Sequence, residues 1–283
     1  MVVSRQQSQR IAFAILTILA VTVVVPIVLV VTYIVVQGIG AINWEFLTSF
    51  PHHGMKQGGI LPAIVGTVIL TFGTAIVSIP IAVGAAIYLA EYARDTWLTR
   101  AIRLAIINLA GIPSVVYGLF GLGLFVLSLG LGTSIVAGSL TLGLMTLPVI
   151  ISTAEEALLA VPQRFRIVSR SLGATRWQTI RQIILPNALP GILTGIILGL
   201  ERAAGETAPI LFTAAAFYLP QLPRSLLDQT MALPYHLYVI STQVPGMPLQ
   251  VQYGTALGLL ILVLSMNVVA TMIRSRFRRR RQW

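Results

Sequence analysis

Six apolar runs, at about 11–36, 60–90, 104–129, 134–154, 188–217 and 253–273, dominate this 283-residue chain. Each is long enough to cross a hydrocarbon core about 30 Å thick, which takes roughly 20 residues. Lipid offers backbone N–H and C=O groups no partner, so each run must close its own hydrogen bonds as a helix. Charge agrees with this reading: 10% of the residues are charged and 56% hydrophobic, against about 25% charged in soluble domains. The expected fold is an all-α integral membrane protein of six transmembrane helices. The first run follows Arg5 and Arg10, but it is too long for the apolar part of a leader and lacks a clean small-residue cleavage site, so it is read as a retained span.

Six spans place both termini on one side. Sixteen of the 19 Lys and Arg residues fall in the N-terminus, 91–103, 155–187 and the C-terminus; the opposite connections hold Lys56 and Arg224, and Arg202 lies within a span. This asymmetry puts both termini in the cytoplasm. The formal charge of +11 is then mainly a topology signal. The terminal cluster Arg274, Arg276 and Arg278–Arg281 suits anionic membrane lipids rather than nucleic acid. Without cysteine, disulfides and thiolate metal sites are excluded. His52 and His53 lack a third ligand and read as loop residues, so no metal site is expected. The proline-rich outer segment 218–252 is expected to form short surface helices.

The fifth run carries Glu201, Arg202 and Glu206, although an ionisable group in hydrocarbon costs about 2.5–3.5 kcal/mol on insertion scales. At 100° per residue, Gly191, Gly195, Gly199, Arg202 and Glu206 share a stripe about 80° wide, and Glu201 falls on the opposite face. The three glycines form a close-approach surface for helix packing. Arg202 and Glu206 are spaced to touch. Arg202 lies about 14 residues, or roughly 21 Å, into the run, near the midplane. Its planar fork of donors fits the oxygens of an oxyanion. Glu206 can hold Arg202 in place and accept a hydrogen bond from a protonated oxyanion. A purely structural ion pair is the alternative.

The cytoplasmic connection 155–187 is amphipathic rather than simply polar. Phe165, Val168 and Leu172 recur at helical spacing among Arg164, Arg166 and Arg170. Gly173 suits a helix C-terminal cap, and Thr175 with Gln178 fits a capping box. Two short helices joined by a glycine turn are expected, lying on lipid or docking into another protein.

Gly173, nine residues, and then Ile183-Ile-Leu185-Pro186 resemble the second half of the EAA loop of ABC importer permeases. Ala110-Gly-Ile-Pro-Ser-Val-Val-Tyr-Gly118-Leu-Phe-Gly121 and Ala204-Gly-Glu206-Thr-Ala-Pro-Ile-Leu-Phe-Thr-Ala214 resemble the PstA-type permease of the phosphate ABC importer. The resemblance covers about 60–273. It implies the type I ABC importer (MetI-like) permease fold in a bacterial inner membrane. It divides the chain into a first helix and outer loop at 1–59, a core at 60–273 and a basic tail at 274–283. The implied partners are a PstC-type second permease, a PstB-type ATPase dimer and an outer PstS-type phosphate-binding protein, with phosphate as cargo. The coupling residues would be Phe165, Arg166, Ser169, Leu172, Gly173, Ala174, Thr175 and Trp177; the cargo pathway would be Arg202, Glu206 and Thr207, with Glu201 less directly placed. One departure stands out: Ile167-Val-Ser169 replaces Glu-Ala-Ala, leaving Arg166 and Gln163 as the polar candidates for ATPase contact.

No G-x-x-x-x-G-K-[S/T] loop occurs, so ATP hydrolysis falls to a partner, and neither a catalytic residue nor a cofactor is expected. A secondary transporter or channel acting alone is the competing reading. It would ordinarily show internal repeats, and it leaves the 160–186 loop without a purpose. An intramembrane enzyme is disfavoured because His52, His53 and His236 all lie in outer segments.

Overall fold

A computed structural model describes residues 5–279, with side-chain surroundings for 9–276. The tail arginines Arg280 and Arg281 lie outside the described residues, as do the surroundings of Arg278 and Arg279, so the expected lipid contact falls largely there. Helix α1 (Arg5–Gly38) is followed by α2 (Trp44–Thr48) and a small hairpin, β1 (Pro51–His52) and β2 (Gln57–Gly58). His52 and His53 sit in that hairpin. Then come α3 (Leu61–Ile87), α4 (Trp97–Ala110), α5 (Ser114–Gly121), α6 (Ile135–Leu159), α7 (Gln163–Ser171), α8 (Arg176–Thr179) and α9 (Leu185–Gly205). The chain closes with α10 (Ala208–Thr213), α11 (Leu233–Thr242) and α12 (Leu249–Arg279).

Among the described residues, five helices are long and apolar enough to cross a membrane by themselves. The third crossing is instead a pair: α4 meets α5, with its π-helical extension Leu122–Ser128, at 103°. The expectation of a continuous helix over 104–129 is corrected here. Pro113 cannot donate a backbone N–H and disfavours helical geometry at the residue before it. The Tyr117 hydroxyl then donates to the Leu109 carbonyl at 2.8 Å, tying α5 back to the open end of α4.

Helices α3, α6 and α9 form the centre. Outward-lying core residues include Ile60, Leu142, Met145, Met231, Leu233 and Ile240; a second cluster near the cytoplasmic loop joins Leu158, Ile180, Ile184 and Ile192. The hydroxyls of Thr67, Thr71 and Thr74, buried in α3, each donate to a carbonyl one turn back at 2.8 Å. These three hydroxyls thus enter the core with their hydrogen bonds met. Helix α1 leans on α12, with the Tyr33 and Tyr253 rings edge to face at 5.4 Å; the rest of its apolar surface faces away from the chain.

The outer segment departs from expectation. It holds α11 rather than surface helices, and Leu233, Pro234, Tyr235, His236, Val239 and Ile240 are buried. The Leu233 N–H donates to the Thr67 hydroxyl at 2.8 Å. The prolines of 218–252 suggested exposure, but the apolar run within it buries itself against α3.

Candidate functional site

The fifth crossing is not one helix to residue 217. Helix α9 ends at Gly205, Glu206 takes extended backbone angles (φ −76°, ψ 137°), and α10 begins at Ala208. Gly205 and Pro209 are the local signals for this break.

The glycine row sets the register of α9 on α6. A Cβ placed on Gly191, Gly195 or Gly199 would lie 2.5, 2.7 and 2.8 Å from Ala157, Thr153 and Ile150 respectively. The three glycines therefore pack α9 against α6 within this chain, the close approach expected of them. Gly199 also faces Thr146, so it stands opposite the middle of α6. Arg202 lies three residues, about 4.5 Å, further outward. The Thr213 carbonyl accepts from the Ser134 N–H at 2.9 Å, which places the end of α10 at the outer start of α6. The break at Glu206 and Thr207 thus falls between these levels, inside the thickness of the bundle. Non-helical backbone is tolerated there only when protein covers it or a wet cavity meets it.

Arg202 Nε donates to Glu206 Oε1 at 3.3 Å, with side chains 36% and 18% exposed. The expected contact forms, but Glu206 reaches back from beyond the helix end. A cation in the last turn of α9 is also favoured by the unpaired carbonyls there. A guanidinium has five N–H donors, and among the described residues one contact is made. Tyr117, on the α4–α5 elbow, lies within electrostatic range of Arg202. Beside it an apolar groove of about 330 Å³ is lined by Leu109, Ile112, Phe120, Leu147 and Pro148. Thr207 precedes α10 and makes no side-chain cap. The Glu201 atom Oε1 is buried without a hydrogen-bond partner among the described residues.

The cytoplasmic loop forms the two helices that periodicity indicated. Gly173 adopts φ +83°, and Ala174 N–H closes back on the Ser169 carbonyl at 3.2 Å. Thr175 and Gln178 make both bonds of the capping box. The faces differ from expectation. Arg166 and Ser169 are buried; Ser169 Oγ meets Thr179 Oγ1 at 2.9 Å. Arg166 pairs at 2.6 Å with Glu91, in the π-helical segment Tyr88–Tyr92 that extends α3. Arg166 is thus turned inward and cannot offer polar contact to a protein below. Phe165 is half-buried against the inner core. The cytoplasmic surface carries Ile167, Val168, Leu172 and Trp177, with Leu172 83% exposed. Glu91 was not legible as a site residue, because its partner lies 75 positions away.

A bundle of kinked spans carrying an inward-held amphipathic loop defines a multi-pass membrane permease. The chain belongs to the family described as binding-protein-dependent transport system inner membrane component, matched over residues 78–283. The probable ABC transporter permease protein YqgI of Bacillus subtilis (strain 168) is 33% identical over 253 residues, covering 84% of this chain and 85% of that protein. The phosphate transport system permease protein PstA 1 of Mycobacterium tuberculosis (strain ATCC 25618 / H37Rv) is 36% identical over 226 residues, covering 80% and 72%. The probable phosphate transport system permease protein PstA of Methanocaldococcus jannaschii is 34% identical over 253 residues, covering 89% and 88%.

Among solved structures, a bacterial ABC transporter involved in alginate import superposes with TM-score 0.69 at 13% identity, over 96% of this chain and 98% of its own. The inward-facing MetNI methionine ABC transporter gives 0.64 at 19% identity, over 77% and 95%. These likenesses establish the MetI-like permease fold of type I ABC importers.

Proposed function

We propose that this chain is a permease subunit of an ATP-driven importer of inorganic phosphate. It works beside a PstC-type permease, above a PstB-type ATPase dimer and below a PstS-type binding protein. The observation that carries the reading is Arg202, singly paired at a helix break inside the membrane, in a chain whose relatives include permeases named for phosphate transport. Its free donors suit a phosphate dianion. Glu206 positions the guanidinium between turnovers and accepts a hydrogen bond from hydrogen phosphate, which sulfate cannot donate. Thr207 adds a hydroxyl at the same level.

Coupling uses the cytoplasmic loop. Ile167, Val168, Leu172 and Trp177 give it an apolar docking face, and Gly173 with Thr175 and Ala174 fixes the turn between its helices. ATP binding below would move this face and shift the spans between inward-open and outward-open states.

The test is Arg202→Gln in the full importer reconstituted in liposomes, with phosphate uptake and subunit assembly measured together. Uptake is expected to fall at least about tenfold with assembly intact. Normal uptake removes Arg202 from translocation; joint loss of uptake and assembly makes the pair structural.

A further inference from the structure

The cytoplasmic loop grips one residue of α3 from both of its halves. From α7, Arg166 donates Nη2 and Nε to Glu91 Oε1 at 2.6 and 3.1 Å. The same guanidinium donates to the Leu158 carbonyl at 2.9 Å and to the Val161 carbonyl, at the inner end of α6. From α8, Arg176 donates to the main-chain carbonyl of Glu91, and its guanidinium lies 4.9 Å from the centre of the Tyr92 ring. Arg103 of α4 adds a bond to the Leu89 carbonyl at 3.1 Å and pairs with Glu155 of α6 at 2.7 Å.

The end of a helix leaves carbonyls without intrahelical partners. Here arginines from two other elements meet them, and the only acid in that turn is held by a third arginine. The Arg166 and Glu91 side chains are 7% and 4% exposed. Separating them would strand two charges in a dry interior. The loop and the inner end of α3 therefore move as one body.

At its outer end α3 is tied again. Thr67 accepts from the Leu233 N–H at 2.8 Å, and Gly66 lies against the Met231 carbonyl without room for a Cβ. Helix α3 thus spans from the loop to the buried outer segment with a fixed attachment at each end.

We infer that Glu91 is the attachment through which displacement of the cytoplasmic loop drives α3, with Arg166 and Arg176 as its positioning partners. Glu91 touches neither cargo nor nucleotide; it sets how much transport each ATP hydrolysed produces. This inference rests on the permease reading above.

The experiment uses the complete importer in proteoliposomes, recording ATP hydrolysis and phosphate uptake in parallel. In Glu91→Gln, hydrolysis is expected to stay within about twofold while uptake falls at least about tenfold, raising ATP consumed per phosphate imported. Arg176→Gln removes the main-chain bond without stranding a buried charge; it should raise the same ratio severalfold. Arg176→Lys should recover part of the loss. If Glu91→Gln does not assemble, the Arg176 pair decides the matter. An unchanged ratio in Arg176→Gln, or uptake and hydrolysis falling in proportion, overturns the inference. Absence of phosphate uptake by the unaltered importer would instead overturn the proposed function.

Discussion

Two arginine–glutamate pairs hold opposite reaches of this molecule, and they are built differently. Arg166 and Glu91 are almost fully covered, meet at 2.6 Å, and the guanidinium also holds the carbonyls of Leu158 and Val161. Arg202 and Glu206 meet at 3.3 Å, and Arg202 is 36% exposed. The first guanidinium makes four hydrogen bonds with its five donors and fastens elements together. The second keeps donors free, so an anion can replace or join its carboxylate. The number of donors already engaged, rather than the presence of an ion pair, separates a fastener from a site.

Breaking the closed pair should have the largest effect on stability. Arg166→Met leaves Glu91 buried and unpaired, for an expected loss of about 3–5 kcal/mol. Thermal unfolding of the detergent-solubilised complex measures it. Changing Glu91→Leu as well should recover much of that loss, because neither buried charge then remains.

A buried ionisable group with no partner extends the comparison. His236 is 3% exposed and its Nδ1 has no hydrogen-bond partner among the described residues. Burial lowers its pKa from 6.5 to about 4. The unfolded chain therefore takes up a proton near pH 6.5 while the folded protein does not. The stability conferred by the neutral ring is complete above pH 6.5 and declines as pH falls toward 4. The expected loss is roughly 3 kcal/mol. Melting temperature followed from pH 7 to 4 should show this slope, and His236→Gln should flatten it.

Gly195→Val tests the seam that supports the open pair. The new side chain would press on Thr153 and cost about 1–3 kcal/mol by overpacking. If the seam positions Arg202, phosphate uptake should fall along with melting temperature; unchanged uptake would uncouple the two. The smallest effect on stability belongs to Arg202→Gln itself, expected below about 1 kcal/mol because the pair is partly open. A loss as large as that of Arg166→Met would erase the distinction between the pairs.

Much of this was legible in the sequence because its causes are local. The capping box at Thr175 and the positive φ at Gly173 depend on residues within one turn. The reach from Arg202 to Glu206 spans four positions. Breaks in the spans were harder to read. Pro26, Pro80, Pro148 and Pro190 lie inside continuous helices, whereas the chain breaks near Pro113 and Pro209. Proline frees a carbonyl in each case, and the neighbours that re-satisfy it come from elsewhere in the fold.

By itself, then, the sequence determined which segments enter the membrane, which side holds the termini and where an arginine sits along the fifth crossing. Those properties follow from transfer energies and charge counts that each segment carries alone. Only the tertiary structure decided that the glycine row faces α6, that Leu233, Pro234, Tyr235, His236, Val239 and Ile240 are buried, and that Arg166 turns inward to Glu91. Each of these sets one segment against another far away in the chain. Its energy resides in the contact, and neither segment reveals it alone.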